Sequence, residues 1–524
     1  METKSNSSKS VLRPTIAYAL VFIMNMAYML IKGVDVINSD ASSEMVLARL
    51  LNDEGGIISR NWYYSTELRV LNTQLVYKLA LAIFGDNWHM ARCLSVAIFM
   101  LIILLASIYL GYQLRGLEFG IWLGTLLIMP VGKWYGYSVI WNSFYVPHIV
   151  ISLLSVGLVL HIHRRRLSDG RCNAIGTIAL VIMLSALSLV AGIGGVRQLM
   201  ICYVPLVGAS VLLVVWHYLR RGDSIRRAIA ADDTFLFETV IALIFSGIGY
   251  VINSYLHNYY TFSSYSSSTW SGFSVTGILD TIGDFLGLFG WSTYTSVVGF
   301  AGITNFLSLF IMASVVAAII WVYSHINELE LCEKFVYIYS GVTFIILLIV
   351  YSHIEAYNES YWIPVMPFVV VIGLIALYRA RFNHRREVIV ALAVCVLLCS
   401  ITSMRNINAM NNSKNKQPLA DCLISEGYTQ VIAPFWEANV ITELTDGTIE
   451  VWCVESDLEI SEWLQTKDHS DNLPTGRCAV IMETDDLSAS YDEVALADYL
   501  IYEDSDFLIY GFEDISVYES IINE

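Results

Sequence analysis

Charged residues are scarce in this sequence. Only 15% of its 524 residues are charged, whereas an ordinary soluble domain carries roughly 25%. Hydrophobic residues make up 56%, which is more than a soluble core requires, so the excess is expected to face lipid. The composition therefore excludes an ordinary soluble protein and indicates an integral membrane protein.

Two common sequence signals are also missing. None of the nine cysteines has the C-x-x-C spacing of a metal site, and Cys395 and Cys399 lie in an apolar run, where packing explains them. The first apolar run is not followed by a small-residue cleavage site. We therefore expect this run to be retained as a helix and not removed as a signal peptide.

The negative charge is concentrated towards the C-terminus. Residues 403–524 contain 5 Lys and Arg against 25 Asp and Glu, a balance of −20, while residues 1–402 have a balance of +3. The chain therefore joins a part that is expected to lie in lipid to a part that is expected to lie in water. We predict a transmembrane domain, 1–402, and an acidic α/β domain, 403–524, in which β-branched apolar runs alternate with helical ones. The predicted strands are Gln430–Pro434, Thr448–Val454, Ala479–Met482, Asp506–Gly511 and Ile515–Tyr518, and the predicted helices are Leu419–Glu426 and Ser461–Gln465.

Apolar runs of about the length of a membrane span recur before the acidic part. A span needs about 20 residues, with roughly 17–25 the usual range. The sequence thus predicts an all-α polytopic membrane protein with about eleven transmembrane helices and a small C-terminal α/β domain. The eleven runs are Thr15–Ile31, Ala91–Gln113, Leu117–Val131, Phe144–His161, Ala174–Val190, Leu199–Trp216, Phe235–Ile252, Phe300–Tyr323, Phe335–Val350, Trp362–Tyr378 and Val388–Ile401.

The distribution of basic residues predicts the orientation. Basic clusters lie at 163–166, 220–227 and 379–386, and counting helices puts all three on the same side as the basic N-terminal segment. Because cytoplasmic loops carry an excess of Lys and Arg, we predict a cell-membrane protein with a cytoplasmic N-terminus. With eleven spans, loop 32–90 and the acidic domain lie on the opposite, extracytoplasmic side.

Loop 32–90 contains the best candidate for a catalytic acid. Asp40 follows the first span and, on a helix, shares a face with Glu44. The alternative is that Asp40 caps this helix by accepting hydrogen bonds from its first N–H groups. Spacing alone favours the cap, whereas a carboxylate at a membrane surface beside an apolar scaffold favours an active site.

The N-terminal third resembles the GT-C class of glycosyltransferases, which are polytopic enzymes that use polyprenyl-phosphate sugars. It is similar above all to the branch of protein mannosyltransferases and aminoarabinose transferases. The resemblance rests on one span, then Asp40 with Glu44, then an interfacial helix at 71–84, and then a phrase of the type F-G-x-x-x-x-x-A-R at 84–92 that opens the second span. It covers roughly residues 10–200.

Other positions extend the resemblance or depart from it. Gly194-Gly195-Val196-Arg197 and the phrase at 361–364 echo the family pattern. The family usually has an acid directly after the Asp, where this sequence has Ala41, and a His-Pro-Pro type of phrase where it has residues 69–72. These departures concern the regions in which acceptor and sugar would be recognised.

The resemblance implies a reaction and a set of site residues. A sugar would pass, with inversion, from a polyprenyl-phosphate donor to a glycan, lipid or wall-polymer acceptor of the cell envelope, with Asp40 as the base and Glu44 beside it. The departing lipid phosphate needs fixed positive charge, for which we single out Arg197, Lys32 and Arg69. The alternative for Arg197 is a structural ion pair with an acid of loop 32–90.

Four further residues are candidates for substrate binding. Tyr255 and Trp270 bound an aromatic loop that suits sugar stacking, although aromatic belts are ordinary at membrane interfaces. Glu355 and Glu359 cluster with His353 before the tenth span. With Asp40 this cluster could also hold a divalent metal (Mg or Mn), although no ligand spacing supports one. Arg92 is expected to be a structural residue that anchors the start of the second span at the lipid headgroups.

A transporter or flippase and a non-catalytic envelope scaffold are the two rival classes of function. A transporter or flippase is disfavoured because the spans carry few charges, no repeated halves and no paired broken helices. A non-catalytic envelope scaffold could have kept the same fold. No nucleic-acid partner is expected. The sequence therefore predicts a glycosyltransferase of a bacterial-like cell envelope.

Overall fold

The computed structural model of the chain is mainly helical and describes residues 2–68, 70–168, 174–222, 224–229, 234–263, 272, 274–291, 299–354, 359–410, 416–455, 458–484 and 496–522. Its longer helices are α1 (Glu2–Lys32), α2 (Ser39–Glu54), α3 (Gln74–Phe84), α4 (Trp88–Leu114), α5 (Leu117–Leu127), α6 (Val146–Ser168), α7 (Ala174–Gly194), α8 (Val204–Arg221), α9 (Leu236–Leu256), α10 (Val275–Gly287), α11 (Phe300–Ser324), α12 (Leu331–Tyr351), α13 (Met366–Arg379), α14 (Arg385–Met410), α15 (Gln417–Ser425), α16 (Phe435–Leu444) and α17 (Ile515–Ile522).

Short helical turns and strands complete the described secondary structure. The turns are Gly33–Val36, Lys133–Tyr135, Gly136–Trp141, Val196–Gln198, Leu199–Tyr203, Ile225–Ile229, Ile326–Glu328, Glu359–Val365, Asp468–Asp471 and Ala497–Tyr499. The strands are β1 (Tyr63–Tyr64), β2 (Thr261–Phe262), β3 (Gln430–Ala433), β4 (Glu450–Cys453), β5 (Cys478–Glu483), β6 (Leu500–Glu503) and β7 (Phe507–Phe512).

Ten helices within the described residues are long and apolar enough to cross a membrane. They coincide with ten of the eleven predicted spans, and the remaining one, Leu117–Val131, contains the shorter helix α5. The 11 residues of α5 rise about 16 Å, roughly half the thickness of the hydrocarbon layer. Pro130 lies three residues after the end of α5. A proline disfavours helical backbone at the residue that precedes it. The chain is thus a multi-pass membrane protein.

Glycines let neighbouring helices approach closely. A Cβ atom added to Gly111 of α4 would lie 2.3 Å from the Cα atom of Gly120 in α5. A Cβ atom added to Gly192 of α7 would lie 2.1 Å from the carbonyl oxygen of Ser246 in α9. Since small residues permit close contact of membrane helices, a larger side chain at either glycine would push the helix pair apart.

The chain divides into two compact units. The first unit comprises residues 1–25, 97–255 and 267–406, and the second comprises residues 26–96, 256–266 and 407–524. Most of the span residues belong to the first unit. The second unit combines much of loop 32–90, including α2 and α3, with the acidic C-terminal part of the chain.

One end of the first unit is held by ion pairs at the start of α12. Arg164 and Arg379, which belong to two different basic clusters, lie 3.8 and 3.6 Å from the carboxylate of Glu330. The buried carboxylate of Glu333 contacts Arg115 at 2.5 Å and Arg379 at 2.6 Å. These two basic clusters therefore lie at the same end of the helix bundle.

The C-terminal part of the second unit is built on a five-stranded sheet of order β4-β3-β5-β7-β6. Strand β3 is parallel to both β4 and β5, while β7 is antiparallel to β5 and β6. Helix α16 connects β3 to β4, because parallel neighbours require a crossover. Residues of α15 and α16 belong to one buried core and residues of α17 to another. The predicted combination of membrane helices and a small α/β region is confirmed.

Candidate active site

Helix α2 of the second unit carries both predicted catalytic acids. The helix is capped by Asn38, whose side-chain oxygen accepts a 3.0 Å hydrogen bond from the N–H of Ala41. Asp40 therefore does not form the cap. It lies half-buried in the first turn, where the partial positive charge of a helix N-terminus favours a carboxylate.

Glu44 lies one turn further along α2 and is buried. Its carboxylate accepts a 2.6 Å hydrogen bond from the hydroxyl of Thr73, and the residue is only 1% exposed. A buried charge needs such partners to offset the loss of water. Thr73 directly precedes α3, which is the helix predicted at 71–84, so this bond joins α2 to α3.

Arg92, near the start of α4, connects α2 with α16. Its Nε and Nη2 atoms lie 2.5 and 2.6 Å from the two carboxylate oxygens of Glu443 in α16. Nη2 also donates a 3.1 Å hydrogen bond to the carbonyl oxygen of Ala41, and Nη1 lies 3.3 Å from the hydroxyl of Tyr77. The expectation of a headgroup anchor is wrong, because Arg92 is 1% exposed and pairs with protein.

Two of the cations predicted for the donor phosphate belong to the predicted loop 32–90. Lys32, the last residue of α1, is exposed and lies 3.2 Å from the carboxylate of Asp35. Exposed pairs of this kind contribute little to stability, so Lys32 could exchange Asp35 for another anion at small cost. Arg69 lies outside the described residues.

Arg197, the third of these cations, lies in the first unit close to two tyrosines. Its guanidinium carbon is 5.2 Å from the ring centroid of Tyr361 and 6.0 Å from that of Tyr145, which suits cation–π attraction. Gly195 precedes it with φ of +137°, a backbone conformation that favours glycine. The sequence phrase at 361–364 pointed to one of the tyrosines, while no local pattern indicated Tyr145.

A π-helical turn, Leu199–Tyr203, follows Arg197 almost at once, and a second one lies at Gly136–Trp141. Such turns occur often at functional sites because they re-aim side chains within a helix. Gly195 before Arg197 and the π-helical turn after it thus both depart from regular α-helix.

The predicted substrate-binding residues are only partly described. Tyr255 is exposed in the last turn of α9. Trp270 and Glu355 lie outside the described residues, and Glu359 begins a helical turn although its side chain is not described. Among the described residues no group of three or more His, Cys, Asp or Glu could hold a metal. A divalent metal remains a prediction.

Strand β1 joins three segments of the second unit. It pairs in parallel with β2, through Tyr63 with Thr261 and Tyr64 with Phe262. Tyr63 also donates through its N–H to the carbonyl of Gln465 at 2.9 Å. The rings of Tyr64 and Phe262 lie 5.8 Å apart. Loop 32–90, the segment after α9 and the C-terminal part of the chain are thus linked around an aromatic cluster.

Comparison with known proteins gives likeness in structure only. No protein-family model matches the chain, and no curated protein matches it in sequence. The structure is similar to that of ArnT from Cupriavidus metallidurans in the apo state, with a TM-score of 0.54 and 12% identity over 96% of this chain and 99% of that chain. ArnT bound to undecaprenyl phosphate gives a TM-score of 0.53 and 12% identity over 94% and 98%.

Archaeal oligosaccharyltransferase AglB from Archaeoglobus fulgidus, in complex with an inhibitory peptide and a dolichol-phosphate, is also similar. It gives a TM-score of 0.48 and 9% identity over 88% of this chain and 69% of that chain. ArnT is a glycosyltransferase of the GT-C class. The likeness to ArnT confirms the predicted GT-C fold over nearly the whole chain, and at 12% identity it shows the fold alone.

Proposed function

We propose that this multi-pass membrane protein is a glycosyltransferase that moves a sugar from a polyprenyl-phosphate donor to a cell-envelope acceptor. The observation that carries the proposal is the position of Asp40, a half-buried acid in the first turn of α2 that is not needed as the helix cap. The GT-C fold supports the proposal, and the binding of undecaprenyl phosphate by ArnT supports a lipid-phosphate donor.

In the proposed reaction, Asp40 takes the proton of an acceptor hydroxyl while the hydroxyl oxygen attacks the anomeric carbon of the sugar. The bond between that carbon and the phosphate oxygen breaks, and the lipid phosphate leaves with the electron pair. Attack from the face opposite the leaving group inverts the configuration. Glu44 shares the helix face of Asp40 and is the second acid of the proposed site.

Arg197 is proposed to stabilise the negative charge on the departing lipid phosphate, with Lys32 and Arg69 as further cations. Fixed positive groups stabilise charge that develops in the transition state, and a guanidinium can bind phosphate through two parallel hydrogen bonds. The acceptor is proposed to be a glycan, lipid or wall polymer, and sugar stacking is assigned to Tyr255 and Trp270. Glu355 and Glu359 are assigned to sugar hydroxyls or to a divalent metal, which a chelator titration would test.

The orientation belongs to the same proposal. The N-terminus is assigned to the cytoplasm, and loop 32–90 and the acidic part, 403–524, are assigned to the outside. The positive-inside rule supports this assignment. The reaction would then take place on the extracytoplasmic side of the cell membrane.

The test is an analysis of glycans and wall polymers in three strains, which carry the wild-type gene, a deletion, or Asp40→Asn. We expect one glycan modification to be lost equally in the deletion and Asp40→Asn strains, with the Asp40→Asn protein present at wild-type level. Unchanged glycans in the deletion strain would overturn the proposal. If the glycan modification is lost in the deletion strain but normal in the Asp40→Asn strain, the protein is instead a flippase or a scaffold.

A further inference from the structure

We infer that Glu443, in the acidic C-terminal part of the chain, is a positioning residue for Asp40 and acts through Arg92. The inference rests on the proposed function, in which Asp40 is the base. It gives the C-terminal part a specific task, namely to hold the first turn of α2 in the orientation that proton transfer requires.

The contacts of Arg92 supply the first step of the argument. Nη2 approaches two groups, the carboxylate of Glu443 at 2.6 Å and the carbonyl oxygen of Ala41 at 3.1 Å. Ala41 is the neighbour of Asp40 in the first turn of α2. A guanidinium is planar and rigid. A carboxylate that accepts hydrogen bonds from both Nε and Nη2 therefore also fixes the direction of the second N–H of Nη2. That N–H points at the backbone beside Asp40.

Burial supplies the second step. The side chains of Arg92 and Glu443 are 1% and 4% exposed, so neither charge can turn to water if its partner is removed. Loss of the Glu443 charge leaves an uncompensated buried cation, and Arg92 must then shift to find another acceptor. Its hydrogen bond to Ala41 is the contact that such a shift would disturb.

Helix α16 offers a matched control at Glu437. This acid lies in the first turn of α16, is 1% exposed, and pairs with Lys416 at 3.1 Å. Its cation lies outside both α2 and α4. Glu437→Gln and Glu443→Gln therefore make the same substitution at two buried acids of the same helix, and only the second change involves the arginine that contacts Ala41.

The experiment uses full-length protein in nanodiscs, with a total lipid extract of the wild-type host as donor and envelopes of the deletion strain as acceptor. Rates are measured per folded molecule over a range of extract concentrations, together with melting temperatures. For Glu443→Gln we expect the maximal rate to fall at least about tenfold, with the half-saturating amount of extract unchanged. Glu437→Gln should keep the wild-type maximal rate.

The outcomes separate positioning from simple scaffolding. A structural pair would lower the yield and melting temperature of Glu443→Gln while the rate per folded molecule stays normal, and that result would overturn the inference. If Glu443→Gln does not fold, Arg92→Lys replaces it, because lysine keeps the charge and loses the fork. A normal maximal rate in Arg92→Lys would overturn the inference equally. Failure of the proposed function looks different: Asp40→Asn would then transfer as well as the wild type.

Discussion

The hydroxyl of Thr73 donates a 2.6 Å hydrogen bond to the carboxylate of Glu44. The two acids of α2 also differ in burial, since Glu44 is buried whereas Asp40 is half-buried in the first turn. A general base must reach the proton that it removes directly or through one water. Asp40 is the better placed of the two for this task, and the contact with Thr73 suits Glu44 to holding α2 against α3.

The first prediction compares these two acids. Asp40→Asn should lower the rate of sugar transfer per folded molecule by about a hundredfold or more, since a positioned base contributes roughly 10²–10⁴. Glu44→Gln should lose much less, because the amide oxygen can still accept from Thr73. Both rates are measured with the lipid extract of the host as donor. Equal losses in the two variants would contradict the separate roles.

A cap variant controls for the integrity of α2. Asn38→Ala removes the side chain that accepts from the N–H of Ala41 and should cost about 1 kcal/mol of stability. The melting temperature is therefore expected to fall while transfer per folded molecule is largely kept. A loss of transfer as deep as that of Asp40→Asn would show that helix order, and not proton transfer, limits the reaction.

The membrane spans could be predicted from composition because lipid imposes a length and an apolar run on each of them. The exception was the region of α5, where Pro130 shortens the helix. In the acidic part, strands β3, β4, β5 and β7 were predicted by their β-branched residues. The predicted strand Ile515–Tyr518 is wrong: these residues belong to helix α17, since packing against a sheet can override strand propensity.

Long-range contacts were the part that the sequence could not supply. Asp40 and Glu44 could be placed on one helix face because their spacing is local. Glu443 lies 351 residues from Arg92, and no local pattern links them. The helix predicted at Ser461–Gln465 is also wrong, because Leu464 donates to the carbonyl of Tyr63 at 3.0 Å and the segment lies along β1.

The second prediction concerns membrane orientation and uses positions that are exposed in the structure. Asp86→Cys and Ser425→Cys should react with a membrane-impermeant thiol reagent on intact cells, whereas Ser224→Cys should react only after permeabilisation. The expected pattern follows from the positive-inside rule. Cys422→Ser serves as the background for all three, since Cys422 is partly exposed. Reaction of Ser224→Cys alone on intact cells would invert the proposed orientation.

The third prediction is a pH dependence of stability. Burial raises the pKa of Glu437 to about 7 from an ordinary value of 4.5, although Lys416 lowers it in part. The folded state thus holds this proton more tightly than the unfolded state. The contribution of Glu437 to the stability of the folded state is fully present below about pH 4.5. It falls as the pH rises to about 7 and is constant above about pH 7. The total loss is on the order of 3 kcal/mol.

Glu437→Gln isolates this contribution, because other acids titrate alike in both proteins. The difference in unfolding free energy between the variant and the wild type should change with pH between about 4.5 and 7 and be flat above that range. Denaturant titrations of the full-length protein at several pH values measure it. A constant difference across this range would show that the pKa of Glu437 is not raised.

The fourth prediction concerns Arg197, whose guanidinium lies close to the rings of Tyr145 and Tyr361. If it binds the donor phosphate, Arg197→Gln should weaken binding of undecaprenyl phosphate to the purified protein at least tenfold, with little change in melting temperature. Arg197→Lys should bind with intermediate affinity, because lysine supplies the charge but not the bidentate fork. Binding is measured by titration of the lipid phosphate in detergent.

The aromatic contacts of Arg197 provide the control. Tyr361→Phe keeps an aromatic face for the cation and should bind the lipid phosphate as the wild type does, whereas Tyr361→Leu removes that face and should weaken binding by a few fold. If Arg197 is instead held in a structural ion pair, Arg197→Gln should lower yield and melting temperature because it strands a buried carboxylate. Lipid binding per folded molecule would then be normal, and the assignment of Arg197 to the phosphate would fail.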